Sequence, residues 1–278
     1  MLLLGDASYD FKDYLGTGRK NQVPPLLVKT SFLWTASDGA YASVNGDDRL
    51  PDLAIGRLPA ASVHEARVMI EKILAFERSG RRLEGPAVLV ADNPDEAGDF
   101  EANADAIAAG PLAGRDIRKI YLRELGASAT TASLLEAFDD GAGLVSYVGH
   151  GGIALWASEA IFDTAGVDRL SPQSAQPLVL TLNCLNGYFH FPYFDSLGEA
   201  LVKAEGKGAI AAISPSGLSL DAPAHRFHRD LSSEIASGRH ARLGDAMLAA
   251  QATYAASGAF PELLLIYHLF GDPALSLR

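Results

Sequence analysis

The chain has 278 residues, a formal net charge of −11 and 48% hydrophobic residues. That apolar content suits a folded protein with a sizeable core and excludes a disordered chain, and the negative balance argues against nucleic acid or an anionic membrane as the main partner. No run of about 18 apolar residues occurs, so no membrane span is expected, and the sole cysteine, Cys184, excludes an intrachain disulfide and a multi-cysteine zinc site.

Apolar β-runs alternate with amphipathic helical stretches, the pattern of parallel α/β layers. Leu2-Leu3-Leu4 reads as a core strand entered abruptly; it is too short for a signal peptide and lacks a basic leader. The chain therefore reads as a fragment, and the missing signal carries no weight on location. A long polar loop with Gly16, Gly18, Pro24 and Pro25 follows. Residues 41–44 and 52–57 flank an Asn45-Gly46-Asp47-Asp48 turn, the pattern of a hairpin. Ser62 and Glu65 have capping-box spacing and open a helix to about Ser79. Val63, Ala66, Ile70, Ile73 and Leu74 would form its inner stripe, with Gly80 as its stop.

Residues 87–91 read as the next strand, followed by an acidic loop and a helix over about 99–109. Residues 117–122 suit a strand and 131–138 a short helix. Residues 143–148 and 177–182 are continuous apolar strands. They end at Gly149-His150-Gly151-Gly152 and at Asn183-Cys184-Leu185-Asn186-Gly187. Ser196 and Glu199 cap a helix to about Glu205, and residues 208–213 give a further buried strand. Helices over about 223–237 and 242–256 close the domain, and no repeat or linker-like shift divides the chain.

Active sites of open parallel sheets form just beyond the carboxyl ends of the strands. If the two strands ending at His150 and Cys184 are neighbours, about 4.8 Å apart, both side chains can face one cleft, as a thiol nucleophile and an imidazole base require. Gly149, Gly151 and Gly152 leave the backbone around His150 uncrowded and free to take positive φ. The N–H groups of Gly151 and Cys184 can then stabilise an oxyanion, while Asn186-Gly187 marks a tight turn that holds Cys184 at the strand tip. The alternative is two independent βα turns, one glycine-rich and one with a buried cysteine. Spacing alone does not separate the two.

Tyr147-Val148-Gly149-His150-Gly151 and Cys184-Leu185-Asn186-Gly187-Tyr188-Phe189 resemble the two active-site motifs of the gingipain family of cysteine peptidases, in the caspase-like clan. Leu3-Leu4-Gly5-Asp6 resembles that family's early strand, and the stretch from Ser37-Asp38 to Gly56-Arg57-Leu58-Pro59 resembles its hairpin. Phe270-Gly271-Asp272-Pro273-Ala274-Leu275 resembles its closing segment, so the likeness covers nearly the whole chain. It implies a caspase-like three-layer α/β/α sandwich with a mostly parallel central sheet and a β-hairpin excursion. Residues 1–110 would be a first subdomain and 111–278 the catalytic one, with a βα unit absent upstream and a β-sandwich commonly following downstream.

The resemblance further implies hydrolysis of peptide bonds through an acyl-enzyme on Cys184, with His150 as general base and acid and Gly151 and Cys184 N–H groups as the oxyanion hole. His150 need not touch the resting thiol. Asp92 matches the place of the family's histidine-orienting glutamate, one methylene shorter. Asp99 is the nearest counterpart of an aspartate that pairs with a P1 arginine in arginine-specific members, although an acidic residue at a helix start also serves the dipole. Arginine-specific members cover the pocket with an aromatic residue after the next strand; here Leu218 or Leu220 would form a different wall. Trp156 would form a further cleft wall or pack in the core, and His190 is close enough in sequence to Cys184 to line the cleft.

No cofactor is expected for the chemistry. Structural calcium is an open expectation at Asp38, Asn45, Asp47 and Asp48, whose spacing fits an acidic hairpin better than a known calcium loop. His225 and His228, at i and i+3, lack a third zinc ligand and read as surface histidines. The expected partner is a protein or peptide substrate, with oligomeric state left open, and family likeness implies a secreted or cell-envelope location. The competing functions are a sortase-like transpeptidase, in which an amine resolves the acyl-enzyme, and a catalytically silent scaffold. The presence of both His150 and Cys184 with their glycines weighs against the silent module.

Overall fold

The computed structural model describes residues 1–46, 48–80 and 83–277. In chain order the first elements are β1 (Leu2–Leu4), β2 (Leu27–Lys29), β3 (Trp34–Ala36), α1 (Gly39–Ala42), β4 (Gly56–Leu58), α2 (Val63–Ser79) and β5 (Ala87–Ala91). Next come α3 (Phe100–Ala109), β6 (Ile117–Tyr121), α4 (Leu122–Leu125), α5 (Ala127–Asp139), β7 (Leu144–Val148), β8 (Leu155–Trp156), β9 (Phe162–Asp163) and α6 (Thr164–Arg169). The chain closes with β10 (Leu178–Leu182), α7 (Leu197–Lys203), β11 (Ala211–Pro215), α8 (Asp221–Ala236), α9 (Leu243–Ala256), α10 (Leu263–Ile266) and β12 (Tyr267–Phe270).

Eight strands form one sheet in the order β1-β4-β12-β11-β10-β7-β5-β6. All neighbours are parallel except β11 and β12. Every residue of β5, β7, β10 and β11 is buried, so the sheet is covered on both faces, as continuous apolar strands require. Helix α8 packs on β10 with α3 and α9 beside it, and α7 packs on β11 and β12 with α2 and α6 beside it. The result is the expected three-layer α/β/α sandwich. Strand β5, from the first of the two expected subdomains, lies between β7 and β6 of the second.

Several local expectations change. Strand β1 lies at the sheet's edge, with Leu2 and Leu4 exposed, rather than in its core. Among the described residues of 41–57 no hairpin forms. Asp52 accepts the amides of Val44 at 2.7 Å and Asn45 at 2.8 Å, which folds this stretch into a compact loop between α1 and β4. The hairpin excursion is instead β2 with β3. The antiparallel β12, hidden in an apolar run after α9, was not foreseen, and α5 begins four residues before the expected start at 131.

Helix α2 has its expected caps, with Ser62 accepting Glu65 N–H and Gly80 in the left-handed region. Its inner stripe is different: Val63 is 79% exposed and Ile70 and Leu74 are also exposed, while Met69, Lys72, Ile73 and Phe76 are buried. The charge at position 72 disguises this face. Lys72 Nζ donates to the carbonyls of Val202 at 3.1 Å, Ala204 at 3.0 Å and Lys207 at 2.8 Å, binding the end of α7.

Three buried histidines couple this core to pH. Burial pushes His190 and His228 down to about 3 and His268 to about 4. Below their ordinary range near 6.5 the unfolded chain binds protons that the folded chain refuses, so stability falls as pH falls toward these values. His190 offers the cleanest test because neither ring nitrogen has a hydrogen-bond partner. Between pH 6 and 4, urea unfolding of His190→Leu should show a stability slope shallower by about 1.4 kcal/mol per pH unit, one proton's share. An unchanged slope would show that this imidazole protonates in the folded protein.

Candidate active site

Strands β7 and β10 are parallel neighbours in register from Leu144↔Leu178 to Val148↔Leu182. His150 and Cys184 each follow the last paired residue by two positions, so both leave the sheet at the same level. Gly149 has φ 154°, and a Cβ there would lie 2.6 Å from Tyr147 Oη and collide with Asp92. A Cβ at Gly151 would collide with the Asn183 amide and lie 2.8 Å from Cys184 O. Glycine at 149 therefore lets the histidine turn close against Asp92 and Tyr147, and glycine at 151 lets it close down on the cysteine loop.

His150 is half-exposed, and its ring Nε2 pairs with Asp95 Oδ2 at 2.7 Å. The edge of Phe100 meets the ring, at 5.3 Å between centroids and 79° between planes. Asp92, the acid expected to orient this ring, lies elsewhere. Its Oδ2 accepts the His150 backbone N–H at 3.0 Å and its Oδ1 accepts Asn93 N–H at 2.8 Å. Asp92 is buried, which pushes its carboxyl up against these two opposing bonds. It anchors the turn that carries His150, and its shorter side chain reaches the backbone rather than the imidazole. Tyr147 Oη completes this anchor by donating to His150 O at 2.6 Å.

Cys184 is half-buried, and its partner is Ser219. Ser219 N–H donates to Sγ at 3.5 Å, and the thiol reaches Ser219 O at 3.7 Å. Burial pushes the thiol up, and the Ser219 contacts oppose that only in part. Among the described residues no hydrogen bond joins His150 to Cys184. The turn after Cys184 is sharper than expected: Leu185 itself takes φ 64°, a conformation uncommon outside glycine. Gly187 is required for space, since a Cβ there would lie 2.7 Å from Ser214 O and 3.0 Å from Phe270.

Asn186 joins the two loops. Fully buried, it accepts from the Asn183 amide and donates to Gly152 O at 2.5 Å and Leu155 O at 3.0 Å. The sequence reading took Asn186 only as a turn former. Nothing in its spacing announced a bridge to the histidine loop.

Of the substrate-side residues, Leu218 is half-buried and Leu220 is 49% exposed, flanking the Ser219 that holds the thiol. Asp99 is the N-cap of α3, accepting Ala102 N–H at 3.0 Å. Asp221, at the start of α8, was not singled out. Asn103 Nδ2 donates to both its oxygens at 2.9 and 3.0 Å, and Gly98 packs directly against its carboxylate. Burial pushes Asp221 up, with the charges of Asp95 and Asp99 adding to the effect.

Other expectations are corrected. Trp156 is fully buried, stacked on Tyr147 at 4.6 Å, and forms no cleft wall. His190 is buried among Tyr9, Tyr188 and Phe189 and does not line the cleft. His228 is also buried, bonded through Nε2 to Ser146 Oγ at 2.8 Å, and is no surface histidine. Of the residues considered for calcium, Asp38 is buried in a two-point pair with Arg57, and Asp48 accepts Leu50 N–H on the surface. Asp47 lies outside the described residues.

The model of peptidase family C25 matches residues 1–278. The chain belongs to peptidase family C25. Gingipain R2 and gingipain R1 of Porphyromonas gingivalis are each 25% identical to it over 261 residues, or 87% of this chain. The chain spans only 35% and 26% of their respective lengths. The crystal structure of the Arg-specific cysteine proteinase gingipain R superposes with TM-score 0.79 at 23% identity, covering 100% of this chain and 63% of that one. A yeast (Saccharomyces cerevisiae) separase–securin complex matches more loosely, at TM-score 0.52 and 13% identity, over 80% of this chain and 14% of that one. By family the C25 chain is of the cysteine-type peptidase class, with the caspase-like fold.

Two outcomes follow from this geometry. Asn186→Ala leaves the carbonyls of Gly152 and Leu155 without their donor and should cost about 2–4 kcal/mol in urea unfolding. Alkylation of Cys184 by iodoacetamide should be slower at pH 7 than that of free cysteine and should still be rising above pH 9, because burial favours the protonated thiol.

Proposed function

We propose that this C25 chain hydrolyses internal peptide bonds through a Cys184 acyl-enzyme, with His150 as general base and then general acid. The observation that carries the reading is the β7–β10 register, which sets an imidazole and a thiol on adjoining loops beyond neighbouring strand ends. The N–H groups of Gly151 and Cys184 would receive the oxyanion. In support, the bridge between Gly151 and Trp156 is made by Ala157 N to His150 O and Gly152 N to Leu155 O, so the Gly151 amide stands outside that ladder.

Sulfur attacks the scissile carbonyl as His150 takes the thiol proton, and the same proton passes to the departing amine as the C–N bond breaks. Water then repeats the sequence on the thioester, releasing the acid and restoring the thiol. For specificity, Asp99 and the half-buried Asp221 favour a basic P1 side chain, since Asp221 lies two residues from the thiol's partner Ser219. Leu218 and Leu220 would supply an apolar wall. Family likeness also favours a secreted or cell-envelope setting.

The test is cleavage of a fluorogenic peptide library varied at P1. Cys184→Ala should abolish turnover, and His150→Ala should lower it by about 10²- to 10⁴-fold. Asp221→Asn should weaken any preference for P1 arginine or lysine over neutral residues by about tenfold. Undiminished cleavage by a folded Cys184→Ala protein would refute the mechanism.

A further inference from the structure

We propose that Asp95 is the positioning residue for His150: it fixes the imidazole with its proton on Nε2, and so makes Nδ1 the nitrogen that serves Cys184. The catalytic half of this inference rests on the peptidase reading above, and the tautomer half does not. The contact itself is short, at 2.7 Å between His150 Nε2 and Asp95 Oδ2. An ionised carboxylate only accepts hydrogen bonds. In the neutral ring Nε2 must therefore carry the hydrogen, which leaves the Nδ1 lone pair free to accept a proton.

The carboxylate is held in place rather than loosely paired. Asp95 Oδ1 accepts Ala97 N–H at 2.7 Å, and Asp95 N donates to Gly98 O at 3.1 Å, so a tight loop aims Oδ2 at the ring. Phe100, at the start of the following helix, meets the ring by its edge. The other nearby acid is already committed, because Asp92 binds the backbone amides of His150 and Asn93. The Asp95 carboxyl sits below the usual carboxylate range, with the His150 hydrogen bond as the largest cause.

The proton path is then defined. The thiol proton moves to Nδ1 as the S–C bond forms, and the imidazolium carries N–H at both nitrogens with Asp95 facing Nε2. The Nδ1 proton goes to the leaving amine as the C–N bond breaks. In deacylation Nδ1 takes a proton from water and returns it to the sulfur as the thioester opens. The Nε2 proton stays on the ring throughout, hydrogen-bonded to Asp95.

The experiment uses the whole chain labelled with ¹⁵N-histidine, with His150 assigned through His150→Gln, and compares Asp95→Ala, Asp95→Asn and Asp95→Glu with the parent. In the parent, the ring should show protonated Nε2 and unprotonated Nδ1. In Asp95→Ala that preference should be lost, and in Asp95→Asn, whose amide can donate to Nε2, the hydrogen should move to Nδ1. On the best library peptide, Asp95→Ala should lower kcat roughly 10- to 100-fold with KM within about twofold, as loss of part of a general acid–base contribution. Asp95→Asn should be worse than Asp95→Ala because it stabilises the wrong tautomer, and Asp95→Glu should recover part of the rate. Both side chains are half-exposed, so melting temperatures should change little.

An unchanged ring tautomer in both Asp95→Ala and Asp95→Asn overturns the proposal, as does a kcat within twofold of the parent in both. If the parent cleaves no peptide, the peptidase reading fails, while the nitrogen signals still decide whether Asp95 sets the tautomer.

Discussion

The register between β7 and β10 is the constraint on which the site depends. Parallel pairing from Leu144↔Leu178 to Val148↔Leu182 brings two chain segments off the sheet side by side. A slip of one residue would turn every side chain of the slipped strand to the opposite face. It would bury the imidazole or the thiol among the helices. The largely apolar sequences of both strands resist such a slip only weakly, since either face of such a strand can be buried. Side-chain hydrogen bonds supply what alternation does not: Ser146 Oγ meets His228 Nε2, and Thr181 Oγ1 donates to Ser214 Oγ at 2.7 Å. Each buried pair aligns its own strand with a neighbouring element, β7 with α8 and β10 with β11, where hydrophobicity is indifferent.

A second constraint ties the nucleophile's loop to the other half of the sheet. Beyond the antiparallel β11–β12 junction lies β4, from which Arg57 projects into full burial. Its guanidinium makes two 2.7 Å bonds to Asp38, a third to Gly5 O, and stacks 4.5 Å from the ring of Phe189. Breaking a buried pair on one side leaves an uncompensated charge, so these segments are held as one unit. A cluster around Asp6, Asp195 and Glu199 makes a parallel clasp between the loop after β1 and the start of α7. Arg19 and Lys203 fill the space between those three carboxylates. These three carboxylates thus already have their cations.

Much of the scaffold was legible because parallel strands buried on both faces read as plain apolar runs, and because caps such as Ser62, Asp99 and Ser196 follow local rules. His150 and Cys184 were legible through their position at strand ends and through their glycines. What escaped depends on contacts distant in sequence. Lys72 masks the inner face of α2 because its ammonium is satisfied by carbonyls about 130 residues away. Asp92 and Asp95 are three residues apart and of identical chemistry. Only the fold decides which of them meets the backbone and which the ring. The bridging role of Asn186 and the place of Asp221 escaped for the same reason: a turn former and a helix-start acid are common, and their partners Gly152 and Asn103 carry no signal of their own.

The resting state of the thiol gives the arrangement its chemical logic. Cys184 is raised by burial and bonded to Ser219 rather than to His150, so it remains a thiol without substrate. A permanently ionised sulfur would be alkylated or oxidised by small molecules without regard to peptide. In the proposed mechanism the nucleophile forms only as its proton passes to a base at the moment of attack, when carbonyl, thiol and imidazole are in line. That demand falls on the histidine, which is half-exposed and would otherwise sample several orientations. The carboxylate of Asp95, the edge of Phe100 and the backbone anchor of Asp92 each remove part of that freedom. Precision is thus concentrated on the base, and the sulfur is left unreactive until it is needed.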